Sequence, residues 1–579
     1  MGFGAAPNVL SAPRRANSIL AAIFVSATIT IAPVSPPEPA VQSGFTGPFS
    51  GVGNWVESHY LSSLLILFAI YLCAHLGYSL RIPLWHDEIY TWYIAQAPSL
   101  PALLHLTRTI DLNPPLSYLL TRVTFHLFGV GTLQTRLPEM AGFWLAVVCI
   151  SLFVRRRAGS AFAILAAVIL FAGKTTEPAI DGRPYGLMFG FGALMLLAWQ
   201  SSTIAQDRSA RGSQLRSNLL MAFAATALLL THVFGLFLWA AVVAAEATCS
   251  FERRRLNPDR ILALVLPLAA TLSYIPIFRF HAAASFAPEF QAHLSSIFGY
   301  FADRTVRELK ALAFTVLVIA AVGGLSWLRP APRFVLTRPE WVAVACFLLT
   351  PVLIIIRLTP GHGAFFYRYG DAAMLGTAIL FTVLLCRLTA NRPAAAVLAA
   401  VILLFFSSRM QHTYMFVSQG RIFRHTEPTI VPFHLEPLAP ADLPLVVNSG
   451  IVFMEMNNHE SPQFLDRTYY LTGGPVALHY TNATIFEGMA KDVEAFHLHG
   501  HAEPYPDFIR RHPHFYLLAA DHDYPEDWLL RKLAADGAHL RLLGTVDNSY
   551  RDHNLYDVTL PTPGPGPIAS FKGTGLPVP

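Results

Sequence analysis

Between residues 60 and 407 the sequence runs as a series of apolar stretches, each close to the ~20 residues that cross a bilayer, joined by short links that carry the arginines. Such a stretch spans lipid as a helix, because the hydrocarbon offers no partner to an unpaired backbone group. Only 13% of the chain is charged, about half the share found in soluble domains. The chain therefore reads as an all-α multi-pass membrane protein with a small additional domain. We expect about eleven spans, near 60–80, 136–154, 159–176, 183–200, 217–232, 233–248, 261–278, 309–328, 340–357, 371–388 and 393–407. The net charge of +5 builds no surface for nucleic acid, since the arginines are spread among the links. Cys73, Cys149, Cys249, Cys346 and Cys386 fall in or at the ends of apolar runs. They read as small packing residues, without disulfide or metal spacing.

The basic residues occupy alternate links. They are "RRR" at 155–157, "DRSARGSQLR" at 207–216, "ERRRLNPDR" at 252–260, "RPAPRFVLTR" at 329–338 and "RLTANR" at 387–392. The positive-inside rule puts these links in the cytoplasm, so the opposite links, and all that follows the last span, are expected outside a cell (inner) membrane. The stretch "SILAAIFVSATITIAPV" at 18–34 has the look of a signal peptide or short span and would invert this order. Five links outweigh it, and we read it as non-spanning, within a mostly disordered N-terminal extension over 1–59.

The membrane domain is expected over 60–424. From about 425 charges and histidines become common. "LPLVVNS" and "HFYLLAA" predict buried strands, "PEDWLLRKLAADG" a helix stopped by glycine, and "NLYDVTL" an alternating strand. Together they predict a small external, periplasmic α/β domain over 425–560, followed by a disordered tail at 561–579. "NAT" at 482–484 reads as a chance match to a glycosylation sequon. "HLHGH" at 497–501 reads as a surface loop rather than a metal site.

Polar groups kept in and beside spans are costly: a charge costs about 2.5–3.5 kcal/mol at a span centre and less at the interface. The outward set is therefore informative: Asp87 and Glu88; Asp111 and Asn113 in "DLNPPLSYLL"; Arg136 in "QTRLPEM"; Asp181, Arg183 and Tyr185 in "DGRPYG"; His232 in "THVFG"; Arg368 and Tyr369 in "FFYRYG". Each has a plainer reading. The acids can be solvated interface charges, and Trp85, Tyr90, Trp92 and Tyr93 an interfacial belt. Asn113 with Pro114 and Pro115 can simply start a helix. The arginines can snorkel, and His232 can be a packing residue. Their convergence on one face favours a site. Transfer of a sugar from a lipid phosphate to a hydroxyl needs one base for the hydroxyl and cations for the departing phosphate, and this set supplies both.

The segments "PLWHDEIYTWYIAQAP", "DLNPPLSYLLTRVTFHLFG", "TRLPEMAGFWLAVV", "DGRPYGLMFGFGAL" and "YRYGDAAMLG", taken in order, resemble the GT-C glycosyltransferases. The nearest resemblance is to the group that includes protein O-mannosyltransferases and bacterial aminoarabinose transferases, over residues 60–410. The resemblance implies a GT-C fold, a polyprenyl-phosphate sugar donor and inverting transfer on the external face. It makes Asp87 the general base and Glu88 a residue that orients the acceptor or the loop. It also implies helices along the membrane surface within 89–128, with Arg183 and Arg368 on the donor phosphate. Asp111, Asn113, Arg136, Tyr185, His232 and Tyr369 are expected to line the substrate site. Asn113 departs from the pattern, since members usually carry His or Lys before the "PPL" stretch. No cofactor and no metal is implied. The acceptor is a lipid, glycan or protein. A transporter or flippase of lipid-linked sugars is the alternative, but neither related halves nor midplane polar residues stand in the sequence. An inactive homologue that binds a partner is the third reading, and the retained Asp87 and Glu88 speak against it.

Overall fold

Apolar composition sets where the helices lie, and proline sets where they break. The computed structural model describes residues 48–561, apart from 81–83, 112, 174–180, 276–290, 324–335, 362, 418–438, 440–441, 459, 482–486, 520–526 and 547–552. The signal-like stretch 18–34, the "NAT" sequon and the tail after 561 lie outside the described residues. A helix stands at each of the expected apolar segments. Among the described residues, Tyr60–Gly77, Thr132–Ala158, Tyr185–Asp207 and Gly235–Arg253 are long and apolar enough to cross a membrane alone. Arg338–Leu348 and Thr350–Gly361, bent by 47°, make a fifth if taken as one broken span. Ser160–Ala172, Ala373–Leu388 and Pro393–Phe406 are shorter apolar helices. The expected eleven is thus more than length and composition alone support. Pro351 sits at the bend, and Pro267 opens the 3-10 stretch Leu266–Tyr274 that continues helix Pro258–Val265. A proline lacks the N–H that an unbroken helix needs.

The bundle shares one apolar core, and glycine decides its tightest crossing. A Cβ on Gly186 would lie 2.2 Å from the Glu139 carbonyl oxygen, and one on Gly190 2.3 Å from that of Gly142. Helices Thr132–Ala158 and Tyr185–Asp207 therefore meet backbone to backbone, as small-xxx-small pairs allow. Helix Ser160–Ala172 is capped through space: Glu57 accepts from the Ser160 and Ala161 N–H groups at 2.9 and 2.8 Å, two of the donors a helix start leaves unpaired.

The bundle has two chemically distinct ends. At one, Arg157 donates to Glu340 at 2.8 Å, Arg260 to Glu246 at 2.8 Å, and Arg253 pairs with Asp207 at 2.8 Å. These are the arginine-bearing links. Asp87, Asp111, Arg183 and Arg368 gather at the opposite helix ends.

The C-terminal sheet has strands β1 Leu445–Val447, β2 Thr468–Thr472, β3 His501–Pro504, β4 His514–Ala519, β5 His539–Val546 and β6 His553–Thr559. Their order is β3-β2-β1-β4-β6-β5, with β3, β2, β1 and β4 parallel and β6 antiparallel to both of its neighbours, β4 and β5. The four expected elements are present, including helix Trp528–Ala535 and its stop at Gly537, φ 72°. Central strands β1 and β4 are buried on both faces, which explains their unbroken apolar runs. One face packs on helices Pro475–Thr481, Tyr505–Arg511 and Trp528–Ala535. The other shares its core with Ile89 and Ile94 from helix His86–Ala95, with Ala97 just beyond it, and with Leu103 and Leu106 from helix Leu100–Thr109. The helix that carries Asp87 is therefore part of the core of the C-terminal sheet.

Candidate active site

Helix His86–Ala95 starts at Trp85, whose backbone is extended (φ −89°, ψ 168°). Glu88, at the third helical position, reaches back to accept from the Trp85 N–H at 3.2 Å. The indole has no acceptor, so only the carboxylate half of a capping box forms. Glu88 also accepts from Arg136 Nε at 2.7 Å, from Arg136 Nη2 at 2.6 Å and from the Gly182 N–H at 2.6 Å. It is fully buried and Arg136 is 2% exposed. This placement differs from the expected substrate contacts: Glu88 and Arg136 meet each other. They form a bidentate ion pair that pins the Asp87 helix to helix Thr132–Ala158 and to the 181–183 turn.

Asp87 lies one residue earlier, where an acid suits the positive end of the helix. Its Oδ2 accepts from Arg368 Nη2 at 2.9 Å, and its carbonyl oxygen from Arg183 Nη1 at 3.1 Å. Arg183 forks onto Asp111, with Nη1 to Oδ2 at 2.5 Å and Nη2 to Oδ1 at 3.0 Å. The Tyr118 hydroxyl also donates to Asp111, and the Asn113 amide donates to the Asp111 carbonyl oxygen at 3.1 Å. Arg368, on the 3-10 turn Tyr367–Gly370, lies over the rings of Phe366 and Trp85 at 4.9 and 5.2 Å. The Nε atoms of Arg183 and Arg368 are buried and have no hydrogen-bond acceptor among the described residues.

Behind the arginines, Tyr185 stands between His232 (5.2 Å between ring centroids) and Tyr369 (6.5 Å). His232 Nδ1 accepts the Phe234 N–H at 3.1 Å, so the neutral ring carries its proton on Nε2. The structure thus brings together Asp87, Asp111, Asn113, Arg183, Tyr185, His232, Arg368 and Tyr369, and sets Glu88 and Arg136 apart as support.

The arginines of the site each face a carboxylate. Arg136 faces Glu88, Arg183 faces Asp111, and Arg368 faces Asp87. Among the described residues Asp181 pairs with no cation, and its Oδ1 accepts from Trp85 Nε1 at 2.5 Å. Burial first, and the nearby Glu88 carboxylate second, raise its pKa above the usual aspartate range.

Sequence reasoning missed several supports. Glu139 accepts from Ser117 Oγ at 2.7 Å and from the Leu187 N–H at 2.8 Å, which caps helix Tyr185–Asp207 from a neighbouring helix. Its signal was present, because a charge inside an apolar run marks itself. Tyr90 and Tyr93, read as belt residues, face the C-terminal sheet instead. The Tyr90 hydroxyl donates to Asp492 at 3.0 Å, and Tyr93 stacks on Phe496 with centroids 5.0 Å apart. No spacing in the sequence links positions so far apart.

No protein-family model matches the chain, and no curated protein matches it. Among solved structures, ArnT from Cupriavidus metallidurans in the apo state superposes with a TM-score of 0.50 at 13% identity, covering 88% of this chain and 98% of that one. ArnT is a GT-C protein. The fold is GT-C. The same protein bound to undecaprenyl phosphate gives a TM-score of 0.46 at 13% identity, over 87% of this chain and 98% of that one. The resemblance drawn from the motifs is met at the level of fold, and the chain is a multi-pass membrane protein.

Proposed function

We propose that the chain is a membrane glycosyltransferase that moves a hexosyl or pentosyl unit from a polyprenyl-phosphate donor to an acceptor hydroxyl, with inversion, on the external face of the membrane. The observation that carries this reading is the pair of buried Nε–H groups on Arg183 and Arg368, both beside Asp87 and both without an acceptor among the described residues. An unpaired buried donor costs about 1–3 kcal/mol. A phosphate supplies the missing acceptors in the geometry that a guanidinium fork matches. The GT-C fold adds the support of analogy.

In this mechanism Asp87 takes the proton of the acceptor hydroxyl. The acceptor oxygen bonds to the anomeric carbon as the bond to the phosphate oxygen breaks, and that electron pair leaves with the phosphate. Displacement from the opposite face inverts the centre. Arg368 is bonded to Asp87 at 2.9 Å. When Asp87 becomes neutral, Arg368 loses its partner as the phosphate gains charge, so one arginine serves the base first and the leaving group second.

The test is radiolabelled sugar transfer by the purified protein from a polyprenyl-phosphate donor. Asp87→Asn keeps the size of the side chain and removes its basicity. Turnover should fall about 10²- to 10⁴-fold, with donor binding retained. Transfer at the wild-type rate would end the proposal.

A further inference from the structure

The arginine-bearing end of the bundle carries a cavity that the site above does not use. Helix Gly235–Arg253 presents Trp239, Val243 and Ala247 along one face, four residues apart. Helix Pro258–Val265 presents Ile261, Leu264 and Val265 from across the corner. The space between them is about 520 Å³, inside the ~300–1,000 Å³ range of ligand pockets. The corner is tied at two points. Trp239 Nε1 donates to the Leu264 carbonyl oxygen at 2.9 Å, and Arg260 Nε donates to Glu246 at 2.8 Å.

Glu246 is the acid in the lining, and its oxygens are engaged by Arg260, Trp199 and Ser250. The charge left facing the cavity is positive. Arg254 and Arg255, in the turn that joins the two helices, complete the lining on its exposed side. Arg254 holds φ 48°, a left-handed conformation that a side chain adopts only at a cost. Neither arginine forms an ion pair among the described residues. Phe251 and Leu256 flank them, 85% and 69% exposed, a surface suited to acyl chains.

An apolar slot topped by two unmatched arginines has the chemistry of an anionic glycerophospholipid, whose phosphate and acyl chain it would take together. We propose that this corner binds an anionic phospholipid of the leaflet on the arginine side, with one acyl chain in the slot and its phosphate on Arg254 and Arg255. The proposal does not depend on sugar transfer.

Native mass spectrometry of the purified full chain, exchanged against equal amounts of phosphatidylglycerol and phosphatidylcholine, tests it. The wild type should retain phosphatidylglycerol preferentially. Arg254→Gln with Arg255→Gln should weaken that binding about 30-fold, the equivalent of ~1 kcal/mol for each arginine near an anionic surface. Ala247→Trp fills the slot from an exposed position and leaves both arginines in place, and it should also expel the lipid. Equal retention of the two lipids by the wild type would overturn the proposal. So would tight phosphatidylglycerol binding by Ala247→Trp, which would mean that the slot plays no part.

Discussion

Replacing Glu88 by Gln separates a role on the acceptor from a role in the fold. Four N–H donors converge on this carboxylate: Arg136 Nε and the Gly182 N–H on Oε1, Arg136 Nη2 and the Trp85 N–H on Oε2. An amide has acceptor lone pairs on one side only. Whichever way the new side chain turned, its NH₂ would face two donors, and the Arg136 guanidinium, 2% exposed, would lose its counter-charge. Removing one partner of a buried pair costs about 3–5 kcal/mol. Glu88→Gln and Arg136→Met should each cost that much, whereas the double variant should cost far less, because no buried charge remains. Unfolding in mixed micelles by sodium dodecyl sulfate titration, followed by tryptophan fluorescence, gives each free energy and hence the coupling. The acceptor KM of the folded Glu88→Gln fraction should stay near wild type. A Glu88→Gln protein within ~0.5 kcal/mol of wild type, the range of surface substitutions, would refute the argument. So would two single costs that simply add.

Arg368→Ala should weaken donor binding by about 1.5–3 kcal/mol, the worth of a charged hydrogen bond, measured as a roughly 10- to 150-fold rise in the dissociation constant of polyprenyl phosphate. Burial pushes the Asp492 carboxyl up to about 6, against its ordinary 3.8. A group so raised binds more protons folded than unfolded, so it removes stability as pH climbs from about 4 to about 6. The stability of Asp492→Asn relative to wild type should therefore grow across that window and level off above it, as followed by melting temperature against pH. Gly190→Ala should force helices Thr132–Ala158 and Tyr185–Asp207 apart, since the new Cβ would lie 2.3 Å from the Gly142 carbonyl oxygen. The expected cost is at least the ~1–3 kcal/mol of overpacking, seen as aggregation in size-exclusion chromatography.

The sequence by itself determined the helical segments, the two-ended distribution of charge and the α/β nature of the C-terminal part. These follow from local quantities: run length, periodicity of two or 3.6, and the spacing of arginines along the chain. It also picked out most of the polar residues that the fold brings together, because a charge beside an apolar run is costly enough to stand out. Only the tertiary structure decided which charge answers which. Glu88 and Asp87 are neighbours on one helix, and nothing local says that the first is sealed against Arg136 while the second stays within reach of Arg183 and Arg368. Adjacent residues point about 100° apart on a helix of 3.6 residues per turn, so one faces helix Thr132–Ala158 and the other faces Arg368. Which is which depends on how the helix is rolled. That roll is set by Ile89 and Ile94 in the core of a sheet more than 300 residues away and by the Tyr90 bond to Asp492. Long-range packing of this kind leaves no periodic trace in the chain, and it fixes which carboxylate is sealed and which stays beside the two arginines.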